Sequence, residues 1–391
     1  MTIKAGLVGI GGYASTYRRL FKEFGKSGEL EFAGIVVRPQ DDIPEVSAEL
    51  RAAGVRIYQD IDSMFASEKL DFVALPIGIG QHAPVAIKAV KAGINVIVEK
   101  PAAGSTAEVD DMIRAEKETG KILTVGFQHI YTDSIRKLKQ ELCSGKYGKI
   151  KNISVIGTSG RADAYYNRNN WVCRERGPSG EAVFDSPINN AFAHYLNLGL
   201  FLAGDTFESS THISSIQAEL YRARRNIETF DTCAVRFTSV NDTKIACFFT
   251  HATDSTIDQQ IRIECEKATA HWHISENWEI RTVDGTVCAS YTSSGKTPQN
   301  AMMTLLLDRL NGKDVMLCPL EIAKEHTFCI ENMHRLFKPV ELPESTFTIR
   351  KDDGLYIIED IGDILWKCFE TGKLPSERNV EWAVKSEEKM I

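Results

Sequence analysis

Three groups of residues in this 391-residue chain have types and spacings that suit chemistry. The first is Gly9-Ile10-Gly11-Gly12-Tyr13-Ala14, a GxGxxA pattern between an apolar run and an amphipathic one. In such a strand-to-helix turn Gly9 allows the tight bend and Gly11 lets a pyrophosphate approach the backbone. Ala14 permits close packing of helix on strand, and the helix N-terminus faces the phosphates. We read the pattern as a dinucleotide-binding turn, the plainer alternative being a glycine-rich turn of purely structural purpose. An acid at the end of the second strand, about 20 residues or more further on, would hold the ribose hydroxyls of NAD. Here that strand ends Val36-Val37-Arg38-Pro39. Arg38 suits a 2′-phosphate or can stack on adenine. The cofactor is therefore read as NAD or NADP with a slight lean to NADP, Asp41 and Asp42 staying within reach of the ribose.

The second group is Glu99-Lys100-Pro101, directly after the apolar run NVIV. This places a lysine at the carboxyl edge of a parallel sheet, where such sheets bind ligands. Beside a cationic nicotinamide its ammonium form is disfavoured, so it can exchange a proton with, or donate to, a substrate oxygen. The bland reading is a surface lysine before a proline turn. The third group is the loop 160–176, where Arg161, Tyr165, Tyr166, Arg168, Asn169, Trp171, Arg174 and Arg176 mix rings, amides and guanidinium groups. Saccharides are held this way, with an aromatic face under the ring C–H surface and polar groups on the hydroxyls. The arginines also suit a carboxylate or phosphate. Tyr165, Arg168 and Trp171 are the expected substrate contacts, against a loop that only packs at a subunit boundary. His271 and His273 share a strand face, but no Cys or carboxylate stands at a ligand spacing, so they read as sheet surface and no metal is expected.

The elements that must position these groups follow from periodicity. Strands are expected at 3–10, 30–37, 72–75, 95–98 and 122–126, alternating with helices at 13–24, 45–53, 83–92 and 105–119, the last opened by a Ser105-x-x-Glu108 capping box. This grammar predicts a doubly wound parallel sheet of the Rossmann type. After a helix at 133–142, KIKNISVIGTSG starts a strand that leads into a long polar and aromatic loop, and from about 213 to 291 most runs alternate or are β-branched, which predicts an α+β domain with a large open, mostly antiparallel sheet. Helical patterns return at 300–310, 319–336 and 356–368. The resulting division is a dinucleotide-binding domain over 1–126, a substrate-binding and oligomerisation domain over 127–345, and a helical C-terminal extension over 346–391 that packs on the others.

The GxGxxA turn, His82 ahead of a helix, and EKP after the fifth strand, within LPIGIGQHAPVAIKAVKAGINVIVEKP, resemble the Gfo/Idh/MocA oxidoreductase family. VGFQHIYTDSIRKLKQEL and GKYGKIKNISV are similar to that family's bridge into its second domain. The resemblance covers about the first 160 residues well and is looser to about 340. It implies NAD(P)-dependent hydride transfer between the nicotinamide and a secondary alcohol or ketone of a sugar, inositol or related polyol. It implies Lys100 as a catalytic lysine, and cofactor contacts at Gly9, Gly11, Gly12, Tyr13, Ala14, Arg38, Pro76, His82, Glu99, Lys100 and Gln128. His129 stands where many members have Arg. The family commonly has Asp four residues ahead of a catalytic His and often an acid three after it. This chain has His194 with Asn190 four before and Asn197 three after. On a helix, Asn190 and His194 would share a face and reach one ligand. Asn supplies no negative charge for an imidazolium, so Asp185 either fills that place or the base is weaker. Asp185, Asn190, His194 and Lys100 form the expected catalytic set, with Asn190 and His194 also touching substrate. Two rival readings are a glycoside-cleaving relative that retains NAD through a transient oxidation, and a catalytically silent NAD(P)-binding regulator. Intact Lys100 and His194 argue against the second.

Composition narrows the partners. With 46 basic against 53 acidic residues the formal charge is −7, so no general basic field attracts nucleic acid. No run of 18 apolar residues offers a membrane span, and the N-terminus reads as strand and turn without a signal peptide. Nine scattered cysteines without a CxxC pair suit reduced thiols. A cytoplasmic enzyme is expected, acting on a small sugar-like molecule and forming a homodimer or homotetramer through the C-terminal sheet.

Overall fold

Short apolar runs buried on both faces, each leading into an amphipathic stretch, build the first sheet. The computed structural model describes residues 2–391. Its chain order begins β1 (Ile3–Val8), α1 (Ala14–Lys26), β2 (Leu30–Val36), α2 (Pro44–Ala52), β3 (Arg56–Tyr58), α3 (Ile61–Ser67), β4 (Phe72–Leu75), α4 (Ile79–Lys91), β5 (Asn95–Val98), α5 (Thr106–Thr119) and β6 (Leu123–Val125). The strands pair in parallel in the order β3-β2-β1-β4-β5-β6. The order reverses at β1 and β4, which opens a crevice at their carboxyl ends. All four residues of β4 are buried, as a central parallel strand requires. The capping box is present, with Ser105 Oγ accepting from Glu108 N and the Glu108 carboxylate accepting from Ser105 N. Two elements are additions to the expected set: β3 and α3 fill the stretch between 53 and 72. In addition α4 starts at Ile79 rather than at 83, so His82 lies inside the helix.

The second sheet follows α6 (Asp133–Cys143) and contains β7 (Ile150–Thr158), then, after α7 (Asp163–Tyr166) and α8 (Ala193–Leu202), β8 (Ile213–Arg222), β9 (Thr232–Ser239), β10 (Lys244–Thr250), β11 (Ile257–Cys265), β12 (Ala268–His273), β13 (Asn277–Thr282) and β14 (Val287–Tyr291). The chain continues through α9 (Pro298–Leu310), α10 (Leu320–Leu336), β15 (Val340–Glu341), β16 (Phe347–Ile349), β17 (Tyr356–Ile358), α11 (Ile361–Thr371) and β18 (Lys389–Met390). The main order is β14-β13-β12-β11-β7-β10-β9-β8-β15, with β18 on β8. Pairing is antiparallel except β7 with β10 and β8 with β15.

Compact units do not follow single cuts in the sequence. One runs through Thr132 and takes in Lys296–Lys324, so α9 belongs with the parallel sheet. The other comprises Asp133–Gly295 and Glu325–Ile391. Within the first unit Tyr131 Oη donates to Val125 O at 2.8 Å and accepts from Cys318 N at 3.1 Å, which fastens the returning segment to β6. The C-terminal stretch corrects the helical expectation, because β16 and β17 pair as a hairpin and helix begins only at Ile361. Asp360, in the left-handed region at φ 52°, breaks the chain direction between them. Ile358, Ile361, Leu365, Cys368, Phe369 and Leu374 pack against Ile156, Ala234, Ala246 and Phe248 of the second sheet. The chain's own C-terminus thus covers the β7 to β10 part of the face expected to meet a second copy. Among the described residues no helix is long and apolar enough to cross a membrane.

Candidate active site

The glycine turn has the geometry an anion requires. Gly9 and Gly12 adopt φ 97° and 54°, conformations that side chains rarely enter. A Cβ at Gly11 would meet only Ile43 Cδ1 at 3.9 Å, and one at Gly12 nothing within 4 Å, so the turn is open to a bound group. Helix α1 has no side-chain cap and no acid in its first turn, and although Ala14 N, Ser15 N and Thr16 N donate to Gly11 O, Gly12 O and Tyr13 O, its positive dipole end faces the open turn, where a phosphate is favoured. A cavity of about 650 Å³ adjoins the turn, lined by residues including Gly9, Gly11, Arg38, Asp41, Asp60 and Pro76. These features fit a dinucleotide. Arg38 Nε lies 2.5 Å from Asp41 Oδ2, so its guanidinium already has a counter-charge. Asp60 caps α3, accepting from Ser63 N at 2.7 Å and Ser63 Oγ at 2.8 Å, and these bonds lower its pKa. Lys88 pairs with Asp62 at 2.5 Å on the same cavity. Tyr13 is exposed and its hydroxyl donates to Gln128 Oε1 at 2.8 Å.

At the end of β5, Glu99 is buried rather than presented to a ligand. It accepts from Tyr17 Oη at 2.8 Å and from Lys100 N at 3.2 Å. Burial nevertheless pushes its pKa up to about 7 against the lowering effect of those bonds and of Lys100. Gly126 leaves room beside it, since a Cβ there would lie 2.6 Å from Glu99 Oε1. Lys100, half-buried, emerges next to this carboxyl. His82 departs from the expected cofactor contact. Its Nδ1 lies 2.8 Å from Pro101 O and its Nε2 3.0 Å from Ile77 O, so both ring nitrogens face the backbone and tie α4 to the segment after Lys100. Burial lowers its pKa.

In the second unit Asp185 is buried and organises the expected set. Its Oδ1 accepts from Asn190 Nδ2 at 2.7 Å and its Oδ2 from Cys173 N at 2.6 Å. Asn190 does not lie on a helix with His194, as expected from their spacing. It sits in the turn before α8, its N–H donating to Ser186 O at 2.9 Å, while His194 is the second residue of the helix. The Asp185 carboxylate fixes the Asn190 amide, a tie across five residues that a helical reading of the four-residue spacing does not contain. Asn197 is fully buried on α8 with neither amide atom hydrogen-bonded. In the aromatic loop the Arg168 guanidinium carbon lies 3.7 Å from the Tyr165 ring centroid and 5.7 Å from that of Trp171. Burial raises the Tyr165 pKa to about 12, keeping a neutral hydroxyl.

The sequence offered no motif for His251, which lies against Tyr165 with ring centroids 5.5 Å apart. Nor did it single out Gln59, Asp60 or Gln81 on the cofactor cavity, although Asp60-x-x-Ser63 is a legible helix start. Among the described residues no group of three His, Cys, Asp or Glu side chains is arranged to hold a metal.

Residues 3–127 match the model of an oxidoreductase family with an NAD-binding Rossmann fold, GFO_IDH_MocA. An inositol 2-dehydrogenase of Salmonella typhimurium is 30% identical over 152 residues, covering 38% of this chain and 44% of that protein. A dTDP-3,4-didehydro-2,6-dideoxy-alpha-D-glucose 3-reductase of Streptomyces violaceoruber is 23% identical over 158 residues, 40% of this chain and 45% of that one. The matched segment thus spans less than half the length of these relatives. The structure of the WlbA dehydrogenase from Bordetella pertussis, in complex with NADH and UDP-GlcNAcA, superposes with a TM-score of 0.71 at 22% identity, over 86% of this chain and 96% of that one. That likeness extends the shared fold through the second sheet. Residues 3–127 are thus similar to the NAD-binding Rossmann domain of the Gfo/Idh/MocA oxidoreductase family.

Proposed function

We propose that the chain is an NAD(P)-dependent oxidoreductase that transfers a hydride between the nicotinamide and a secondary alcohol or ketone of a sugar, inositol or related polyol. The observation that carries this reading is the uncapped, acid-free start of α1 behind the open glycine turn, at the carboxyl edge where β5 delivers Lys100. The inositol and sugar-nucleotide chemistry named for the relatives supports the substrate class. The nicotinamide supplies or takes up the hydride. Lys100 polarises the reacting oxygen and stabilises its developing negative charge, and His194 takes the hydroxyl proton. Asp185 holds Asn190 in place to position substrate, and Tyr165 and Trp171 offer faces for a sugar ring. Run in reverse, the same groups reduce a ketone.

Of the two cofactors, NAD fits better than the lean drawn from Arg38 alone. A 2′-phosphate there would compete with Asp41 for the guanidinium and meet Asp60 and Asp62 on the same lining. For assembly, a homodimer or homotetramer through the second sheet would use the outer face of β11 to β14, the part its own C-terminus leaves uncovered.

The deciding experiment follows reduced-nicotinamide absorbance with NAD and with NADP across a panel of sugars, inositols and polyols. We expect stoichiometric reduction of NAD. In Lys100→Met, NADH binding read by fluorescence persists while turnover falls by about 10³-fold or more. Full activity in that variant overturns the role of Lys100, preference for NADP overturns the cofactor choice, and glycoside turnover without net NADH identifies a cofactor-retaining enzyme instead.

A further inference from the structure

The loop that carries Tyr165 sets two guanidinium groups against one ring. Arg168 lies 3.7 Å from the Tyr165 ring centroid and Arg161 5.2 Å from it. Several other arginines of the same unit have carboxylate partners: Arg174 with Glu228, Arg222 and Arg225 with Glu341, Arg224 with Asp163, and Arg236 with Glu377. Among the described residues neither Arg161 nor Arg168 is in an ion pair, and the buried Nε of Arg161 has no hydrogen-bond partner. Asp185, whose charge reaches Tyr165, binds Cys173 N and Asn190 Nδ2 through its two oxygens. Two like charges around one ring, neither in an ion pair, are favoured when an anion joins them.

His251, at the end of β10, adds a second demand. The backbone of Arg161 donates to His251 O at 3.0 Å, and His251 Nδ1 lies 2.9 Å from Ser159 O. A carbonyl only accepts, so Nδ1 carries the hydrogen and Nε2 the lone pair. The side chain is 1% exposed, its ring is tilted on Phe192 at 5.3 Å, and Nε2 has no partner. Burial and the charges of Arg161 and Arg168 push its pKa down to about 3, so it stays neutral and keeps that lone pair. A buried acceptor without a donor costs about 1–3 kcal/mol, and the group that satisfies it is a hydroxyl, not an anion.

We propose that Arg161, Arg168, Tyr165 and His251 form a subsite for an anionic oxygen group with a neighbouring hydroxyl, so that the substrate is an acidic sugar derivative, a sugar carboxylate or sugar phosphate, rather than a neutral polyol. The guanidinium groups take the anion and His251 Nε2 accepts from the hydroxyl. This rests on the oxidoreductase reading above for its kinetic consequence, but not for binding.

The test uses the full chain and two readouts. Binding of D-glucuronate, D-gluconate, D-glucose 6-phosphate, D-glucose and myo-inositol is measured by calorimetry in the presence of NADH, and turnover of each with NAD is followed separately. We expect the acidic compounds to bind about 10- to 100-fold more tightly than neutral ones. Carboxylates ahead of the phosphate name a sugar acid, and the converse a sugar phosphate. Arg168→Gln, at an exposed position, collapses that ratio towards 1, raising KM for the acid far more than it lowers kcat. Arg161→Gln does the same independently, and His251→Phe weakens hydroxylated acids but not a simple carboxylate such as propionate. Equal binding of acidic and neutral compounds, or an unchanged ratio in both arginine variants, overturns the subsite even if a neutral polyol is oxidised. Selective binding of acids without any turnover leaves the subsite standing and overturns the oxidoreductase reading instead.

Discussion

The carboxyl of Glu99 accepts two hydrogen bonds and lies beside Lys100, yet burial raises its pKa from 4.5 to about 7. Desolvation therefore outweighs the groups that favour the charge. The stability consequence has a definite sign. Between the unfolded pKa near 4.5 and the folded value near 7 the folded state holds the extra proton, so stability falls as pH rises through that window and is flat above it. In Glu99→Gln the amide cannot ionise, and the difference in unfolding free energy between variant and parent should grow by about 1–3 kcal/mol from pH 4.5 to 7. Chemical denaturation at several pH values without cofactor measures it, and a pH-independent difference would show that Glu99 ionises freely in the fold. Glu99 and Lys100 were legible as a pair because the motif is contiguous. Burial of the first was not, since it depends on Tyr17 and on Gly126, whose missing Cβ makes the room.

Among the elements, α7 is too short to hold its own place. Arg224, whose side chain is 3% exposed, secures it from β8's outgoing turn. Its Nη1 donates to Asp163 at 2.5 Å and its Nη2 to Gly354 O at 2.6 Å, and the guanidinium lies 4.1 Å from the Tyr166 ring centroid and 4.5 Å from that of Tyr356. Arg224→Met keeps the bulk and removes the fork, so the loop 160–176 loses its anchor. We expect a stability loss of about 2–4 kcal/mol by thermal or urea unfolding, a change in the fluorescence of nearby Trp171, and faster proteolysis within the loop. Unchanged proteolysis would mean that the loop is held by its ring contacts alone. Element legibility followed burial. Strands β4, apolar throughout, and β5, apolar after Asn95, were placed to the residue. Strand β3 shows only Ile57 and Tyr58 to the sequence, and the start of α4 hid behind Gly78 and Gly80. The break before α11 depends on one left-handed residue, Asp360, that no periodicity announces. The loop's composition marked it for binding, but its supports, Arg224 and His251, come from segments just after β8 and β10, distant in sequence, and carry no local signal.

Across the whole molecule, the outer face of the second sheet is divided by chemistry. A cross-strand row runs Arg236, Ala246, Ser154, Arg262, His271, Glu279 and Ser290 in register. Over β7 to β10 Ala246 of that row and its apolar neighbours Ile156 and Phe248 are sealed by α11 and the chain after it. Over β11 to β14 the row is polar, with Arg262 paired to Glu264 and Glu279 to Arg281. The dimer proposed through this sheet would therefore meet ion pairs, not an apolar surface, and fall in the weaker, charge-guided class of interface. Sedimentation of the intact chain should show an assembly that loosens between about 0.05 and 0.5 M salt, because exposed pairs are screened. Leu365→Asp, which lifts α11 from the sheet, should instead create salt-resistant association and bind an apolar dye, since it uncovers Phe248 and its neighbours. If the intact assembly is indifferent to salt, the contact lies elsewhere than β11 to β14. If Leu365→Asp behaves as the parent, α11 is an ornament on the sheet rather than the cover that makes its apolar half self-sufficient.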